Sequence, residues 1–418
     1  MTIPNPELSP PDLAAPVLSW TEDKQARGAL WRSERGAAPP KRVVLADDTL
    51  SADNAYRMAC EGTGLLWRGD FQNARLLLQA LARRIDKPPK ASKTARMGRK
   101  KVLTQAETGV PQAEVFHLYR QAKAQRARVL GMVLIEFGAD YAIALRRAPD
   151  AKQACTEAWG QADHGQPSVA SLRELMGIIS AHEWRKKGVE IPALTSGGAA
   201  IAKAAPNNRI YPHYGVFSPV RGEYVDLVAK APLPIRRPAK FVAFDIGTGT
   251  GVLAAVLALR EVDQVVATDQ DERALACAKE NIYKLRLPNP VKVMKADLFP
   301  EGLASVIVCN PPWLPARPGS PLEGAVYDEG SRMLLGFIKG LAAHLAPGGE
   351  GWLILSDLAE HLGLRTRAEL LAAITANGLK VVGRMDVKPE HPKALDASNP
   401  LAEARAKEVT SLWRLGGA

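Results

Sequence analysis

An apolar stretch that carries an acid and then runs into glycines, Phe241-Val-Ala-Phe-Asp-Ile-Gly-Thr-Gly-Thr-Gly251, constrains this chain more than any other segment. Glycine has no Cβ and tolerates positive φ. Gly247, Gly249 and Gly251 therefore let the backbone turn sharply and come close to a ligand. The run from Val252 reads as a helix, whose first N–H groups and positive dipole end face that loop. Strand, glycine turn and helix in succession open a parallel α/β unit. Taken alone the loop leaves its ligand open, because Gly249-Thr-Gly-Val-Leu-Ala254 also satisfies the relaxed dinucleotide fingerprint G-x-G-x-x-A.

Beyond about residue 200 the alternation continues. Strands are predicted at 242–245, 264–268, 291–295, 305–309, 351–355 and 380–385, with helices at 252–259, 272–285, 331–345 and 367–376 between them. Ser411-Leu-Trp-Arg-Leu415 reads as a last strand, returning antiparallel. This pattern predicts an α/β fold with one mostly parallel sheet and helices on both faces.

The preceding region reads differently. Leu77, Leu78, Leu81 and Ile85 share one helical face, 113–128 and 168–187 also have helical spacing, and Gly131–Arg147 is either a strand pair or more helix. The expected organisation is a disordered lead-in over 1–20, a mainly helical N-terminal domain over 21–200 that recognises substrate, and an α/β domain over 201–418. Lys87 to Lys101 is a basic run after a Pro-Pro break, and reads either as a phosphate-contacting loop or as a solvated linker. A formal net charge of +11 makes nucleic acid a reasonable partner, with solubility the alternative reason for it.

Cys60, Cys155, Cys277 and Cys309 are too scattered for a metal or redox motif, and the histidines show no ligand spacing, so no metal is expected. No apolar run approaches the roughly 20 residues of a membrane span. The first sixteen residues hold five prolines and no basic residue, unlike a targeting segment. A cytoplasmic protein without a membrane partner is the expectation.

Two further features carry chemistry. Asp269 ends the second strand about 20 residues after the glycine loop, where a carboxylate can accept both hydroxyls of a ribose. Asn310-Pro311-Pro312-Trp313 follows the fourth strand. An amide or aryl amine nitrogen has its lone pair delocalised into the adjacent π system. Two acceptors aimed at its hydrogens, the Asn310 side-chain oxygen and the Pro311 carbonyl, draw that lone pair out of conjugation. The prolines stiffen the turn and offer no competing N–H, and Trp313 can stack on the planar group. Catalysis of this kind is positioning plus preorganised dipoles.

The glycine loop and the Asn-Pro-Pro-Trp turn, in that order, resemble class I S-adenosylmethionine (SAM)-dependent methyltransferases of the HemK-like or methyltransferase small domain type. Tyr211–Val228 is similar to the segment that precedes the core there and folds over the cofactor. The resemblance spans roughly residues 210–390. It implies a Rossmann-like class I methyltransferase sheet and SAM as cofactor, held by Asp245, Gly247, Thr248, Gly249, Gly251, Asp269, Asp297, Leu298 and Asn310. Asp245 would orient the loop and the methionine amino group. Asp297 would meet the adenine amine, with Leu298 or Phe299 beside the ring. HemK-type enzymes carry Pro-Arg-x-x-Thr-Glu and Asn-Pro-Pro-Tyr, where this chain has Ser218-Pro-Val-Arg-Gly-Glu223 and a Trp. The expected reaction is methyl transfer to an exocyclic amine of an RNA or DNA base; the alternative is a protein glutamine amide.

Overall fold

The structure, a computed structural model, describes residues 16–86, 111–162, 165–195, 208–220, 222–235, 240–389 and 399–418. The basic run 87–101 and residues 1–15 of the expected lead-in lie outside the described residues. The chain divides into two compact units, one of residues 1–89 with 125–177, the other of 90–124 with 178–418.

The first unit contains β1 (Val17–Glu22), β2 (Gln25–Trp31), β3 (Arg42–Ala46), α1 (Ala52–Cys60), β4 (Thr63–Trp67) and α2 (Phe71–Ile85). The end of α3 (Gln112–Leu130), β5 (Val133–Phe137), α4 (Lys152–Trp159), β6 (Ser168–Ser171) and the start of α5 (Leu172–Lys187) complete it. Its strands form one six-stranded mixed sheet in the order β1-β2-β6-β5-β4-β3. The mainly helical N-terminal domain expected from the sequence is therefore corrected to an α/β unit. Its strands are short, and several are buried on both faces; β4, Thr-Gly-Leu-Leu-Trp, is buried throughout. Such runs show no period-2 alternation and cannot be told from buried helix by pattern. The last residues of the expected lead-in, 17–20, are corrected too: Leu18 and Trp20 of β1 pack with Ala29, Trp31, Leu66 and Leu134. Gly131–Arg147 contributes the single strand β5 followed by turns.

The second unit begins with the short pair β7 (Val189–Glu190) and β8 (Arg209–Ile210), then α6 (Glu223–Lys230), β9 (Val242–Ile246), α7 (Val252–Ala258), β10 (Gln264–Asp269) and α8 (Glu272–Leu285). It continues through β11 (Val291–Lys295), β12 (Ala304–Cys309), α9 (Arg332–His344), β13 (Leu345–Ser356), α10 (Leu358–His361), α11 (Arg367–Ala376), β14 (Leu379–Val387), α12 (Ala402–Lys407) and β15 (Thr410–Gly417). The main sheet runs β11-β10-β9-β12-β13-β15-β14, with β15 antiparallel to both its neighbours and the remaining pairs parallel. This is the Rossmann-like sheet anticipated, antiparallel final strand included.

Successive side chains of β12 serve opposite layers. Val306 and Val308 join α6 and α7 on one face, while Ile307 and Cys309 join Phe337, Ile338 and Leu341 of α9 on the other. A strand covered on both sides is buried throughout, as β12 is, and it is apolar but for Ser305. Strand order reverses between β9 and β12, and Ile246 pairs with Cys309 across that junction. The glycine loop and Asn310 thus leave the sheet side by side, at the carboxyl-end crevice where open α/β sheets bind ligands.

Candidate active site

A cavity of about 570 Å³ opens at this junction, lined by second-unit residues alone. Gly247, Thr248 and Gly249 form one wall, and Asp269, Gln270 and Leu298 extend it. The complete Asn310-Pro-Pro-Trp turn reaches the same space, as do Gly215, Val216, Phe217 and Tyr224 from the segment ahead of the core. Beyond the turn the wall passes through Leu314, Tyr327 and Leu358 to Arg405 and Glu408.

The loop's shape is imposed from beneath. Asp245 is 1% exposed, and its Oδ2 accepts from the Thr248 hydroxyl (2.6 Å) and the Ala254 N–H (2.9 Å). Burial pushes its carboxyl up to about 7, against the pull of those two donors. Asp245 is a loop anchor behind the wall rather than part of the lining. Gly247 and Gly249 have positive φ (71° and 55°), which favours glycine. Gly251, also at positive φ, does not line the cavity: a Cβ there would stand 3.2 Å from the Ala278 Cα of α8. Its freedom serves helix packing.

Asp269 accepts from the Gly249 N–H (3.0 Å) through Oδ2 and from the Asp271 N–H (3.0 Å) through Oδ1. Burial raises its carboxyl above the ordinary value. Asp271 caps α8 by accepting from the Arg273 N–H (2.8 Å), as its position suggested. Asp297 is placed elsewhere than expected. Its carboxylate is exposed, hydrogen-bonded to the Gln270 amide and 3.6 Å from Arg332, and only its neighbours Ala296 and Leu298 line the cavity. Leu298 sits at φ +70°, so the backbone turns there and directs the two side chains apart. Phe299 is stacked on His344 (ring centroids 4.4 Å apart) and Phe337, away from the cavity.

At the turn, the Trp313 indole N–H donates to the Asn310 side-chain oxygen (2.9 Å). That bond orients the amide and leaves the oxygen a second lone pair. Trp313 was expected to stack on substrate; here it holds Asn310. Sequence reasoning missed the far wall altogether. Tyr327, Arg405 and Glu408 sit in no motif and belong to segments with little periodicity, so only the tertiary structure brings them in. Helix α3 was expected as a helix but not beside the site: Phe116 packs with Leu314, Leu358 and Leu401, and the Arg120 guanidinium lies 3.8 Å from the Tyr327 ring centroid. Among the described residues no group of three or more His, Cys, Asp or Glu could hold a metal, and no helix is long and apolar enough to cross a membrane.

Residues 207–367 match the methyltransferase small domain family. Curated relatives of this domain include a tRNA1(Val) (adenine(37)-N6)-methyltransferase of Pedobacter heparinus, 31% identical over 29% of this chain and 57% of that one. Another is a release factor glutamine methyltransferase of Caulobacter vibrioides, 36% identical over 26% of this chain and 39% of that one. The chain thus spans about half the length of the curated relatives it matches. The methyltransferase small domain match contains the glycine loop, Asp269, Asp297 and the Asn310 turn, but ends before Arg405 and Glu408.

Proposed function

We propose that this chain is a SAM-dependent N-methyltransferase acting on a planar nitrogen, the exocyclic amine of an RNA base. The observation that carries the reading is the Ile246–Cys309 register, which brings the glycine loop and Asn310 to one cavity. The residues present fit the cofactor. The glycine loop allows close backbone approach, Asp269 offers carboxylate oxygens for ribose hydroxyls, and Val216, Phe217 and Leu298 supply apolar wall. Bound SAM supplies an electrophilic methyl on its sulfonium. Asn310 and the Pro311 carbonyl accept the hydrogens of the target amine, and the proline turn fixes that geometry. The relative that methylates a tRNA adenine supports an RNA base; the relatives that methylate a release factor glutamine present the same planar NH₂.

The test is incubation with tritiated-methyl SAM and a lysate from a strain lacking the gene. Label removed by ribonuclease alone is the expected result. Label removed by protease alone would replace the base with a protein amide, and a protein that fails to bind SAM would end the reading.

A further inference from the structure

Residues 211–217, ahead of the core, supply part of the cavity wall, and nothing in the methyl-transfer reading accounts for what holds them there. Gly215, Val216 and Phe217 line the cavity. Their seat is one stripe of α8, at residues 274, 277 and 281. Val216, 7% exposed, packs with Ala274 and Cys277. The His213 N–H donates to the Cys277 Sγ (3.4 Å), and the Val216 N–H donates back to the His213 carbonyl (3.1 Å). The firmest attachment is Asn281, which is 0% exposed. Its Oδ1 accepts from the Tyr211 N–H (2.8 Å), and its Nδ2 donates to the Tyr211 carbonyl (3.3 Å) and to the Thr250 carbonyl (3.0 Å). Thr250 belongs to the glycine turn and lines the same cavity. One buried amide therefore joins the wall segment to the glycine turn.

A primary amide accepts through its oxygen and offers two donor hydrogens. One side chain can thus satisfy both backbone groups of Tyr211 and still reach the turn. Apolar contact at Val216 is non-directional and sets only how close the segment lies to α8. The hydrogen bonds of Asn281 require a narrow geometry and fix where it lies. Every bond of this clamp is made within the chain, so it does not wait for a ligand. We propose that Asn281 is a positioning residue for the cofactor, holding the 211–217 segment against the glycine turn so that the SAM site is shaped in advance. The inference rests on the SAM-dependent reading. It also makes Asn281 a determinant of cofactor retention. A wall released from its anchor is closed only part of the time, and the apparent Kd rises by the inverse of the closed fraction. An open wall also lets a bound cofactor leave sooner.

The experiment follows binding and dissociation of tritiated SAM on the full-length protein, together with amide hydrogen exchange read by mass spectrometry. Asn281→Ala should raise the SAM Kd about tenfold, with faster dissociation, as a closed fraction near one tenth requires. The amides of Tyr211, His213 and Val216 should lose protection in that variant, while those of β9 and β12 keep theirs. A SAM Kd within twofold of the parent's would overturn the inference. So would a loss of protection throughout the sheet, which would make Asn281 a core residue with no particular hold on the segment. If the variant does not fold, exchange in the unaltered protein without SAM decides. Protection of residues 211–217 there is the expected result, and free exchange that slows only when SAM is added would overturn the inference while leaving the methyltransferase reading intact. Absence of SAM binding by the unaltered protein would instead remove that reading.

Discussion

At the scale of single residues, the site separates groups that touch the cavity from groups that shape it. Asn310 belongs to the first kind. Asn310→Ala is expected to leave SAM affinity within a fewfold and to cut turnover about a hundredfold, the usual loss for one positioning dipole. Calorimetry and single-turnover transfer check the two halves. A collapse of SAM affinity would place Asn310 at the cofactor end instead. Asp245 belongs to the second kind, and its buried carboxyl carries a pH signature. Its folded-state pKa, about 7, lies above the ordinary value of 3.8, with burial the main cause. Its contribution to stability is therefore complete below about pH 4 and is lost as the pH rises through 7. Asp245→Asn keeps an oxygen for Thr248 and Ala254 but has no charge to bury. Thermal melts should show the variant close to the parent near pH 4 and more stable, by up to a few kcal/mol, at pH 8.5, the difference growing between the two. A difference that does not change with pH would mean that Asp245 is hydrated. The acids at 245, 269 and 297 were all legible in the sequence as candidates. What each one does was not, because a strand-end acid can point into the cavity, beneath the loop or out to solvent. Asp269, Asp245 and Asp297 take those three directions in turn.

At the scale of elements, legibility follows length and periodicity. Helix α8 and strand β11 have the predicted bounds, and β9, β10 and β12 differ by a residue at one end. The glycine turn between β9 and α7 was equally plain, but one of its glycines serves packing. Gly251→Ala would place a Cβ against the α8 backbone at φ +82°, and α8 has little room to yield. Chemical denaturation should show a loss of about 1–3 kcal/mol, whereas an unchanged midpoint would mean that α7 can shift away. Helix α3 was seen as a helix, yet its partner was not. Phe116, 0% exposed, packs against Leu314 and Leu358, two residues of the cavity wall. Phe116→Ala should cost about 3–5 kcal/mol of stability, and the folded fraction should turn over more slowly with unchanged SAM affinity. Full activity per folded molecule would separate α3 from the site. The short strand β4 was lost among helices, since five consecutive buried residues carry no period, and the region of β5 stayed open between strand and helix.

At the scale of the whole molecule, the +11 charge bears on the proposed RNA substrate. If basic side chains grip phosphates, RNA affinity measured by filter binding should fall at least a hundredfold between 50 and 200 mM salt, in line with several phosphate contacts. Salt-independent binding would confine recognition to the cavity. The sequence by itself determined the parallel sheet of the second unit, the glycine loop and the Asn-Pro-Pro-Trp turn. In those segments local pattern and backbone chemistry are sufficient: alternating elements demand a covered sheet, and glycines and prolines restrict their own dihedral angles. Tertiary structure alone decided the rest. Residues 111–124 belong to the second unit, six short strands make a sheet where helices were expected, and Arg405 and Glu408 reach the cavity from the C-terminal end of the chain. Each of those outcomes is a contact between residues far apart in sequence, and no local periodicity records which distant surface a segment will bury against.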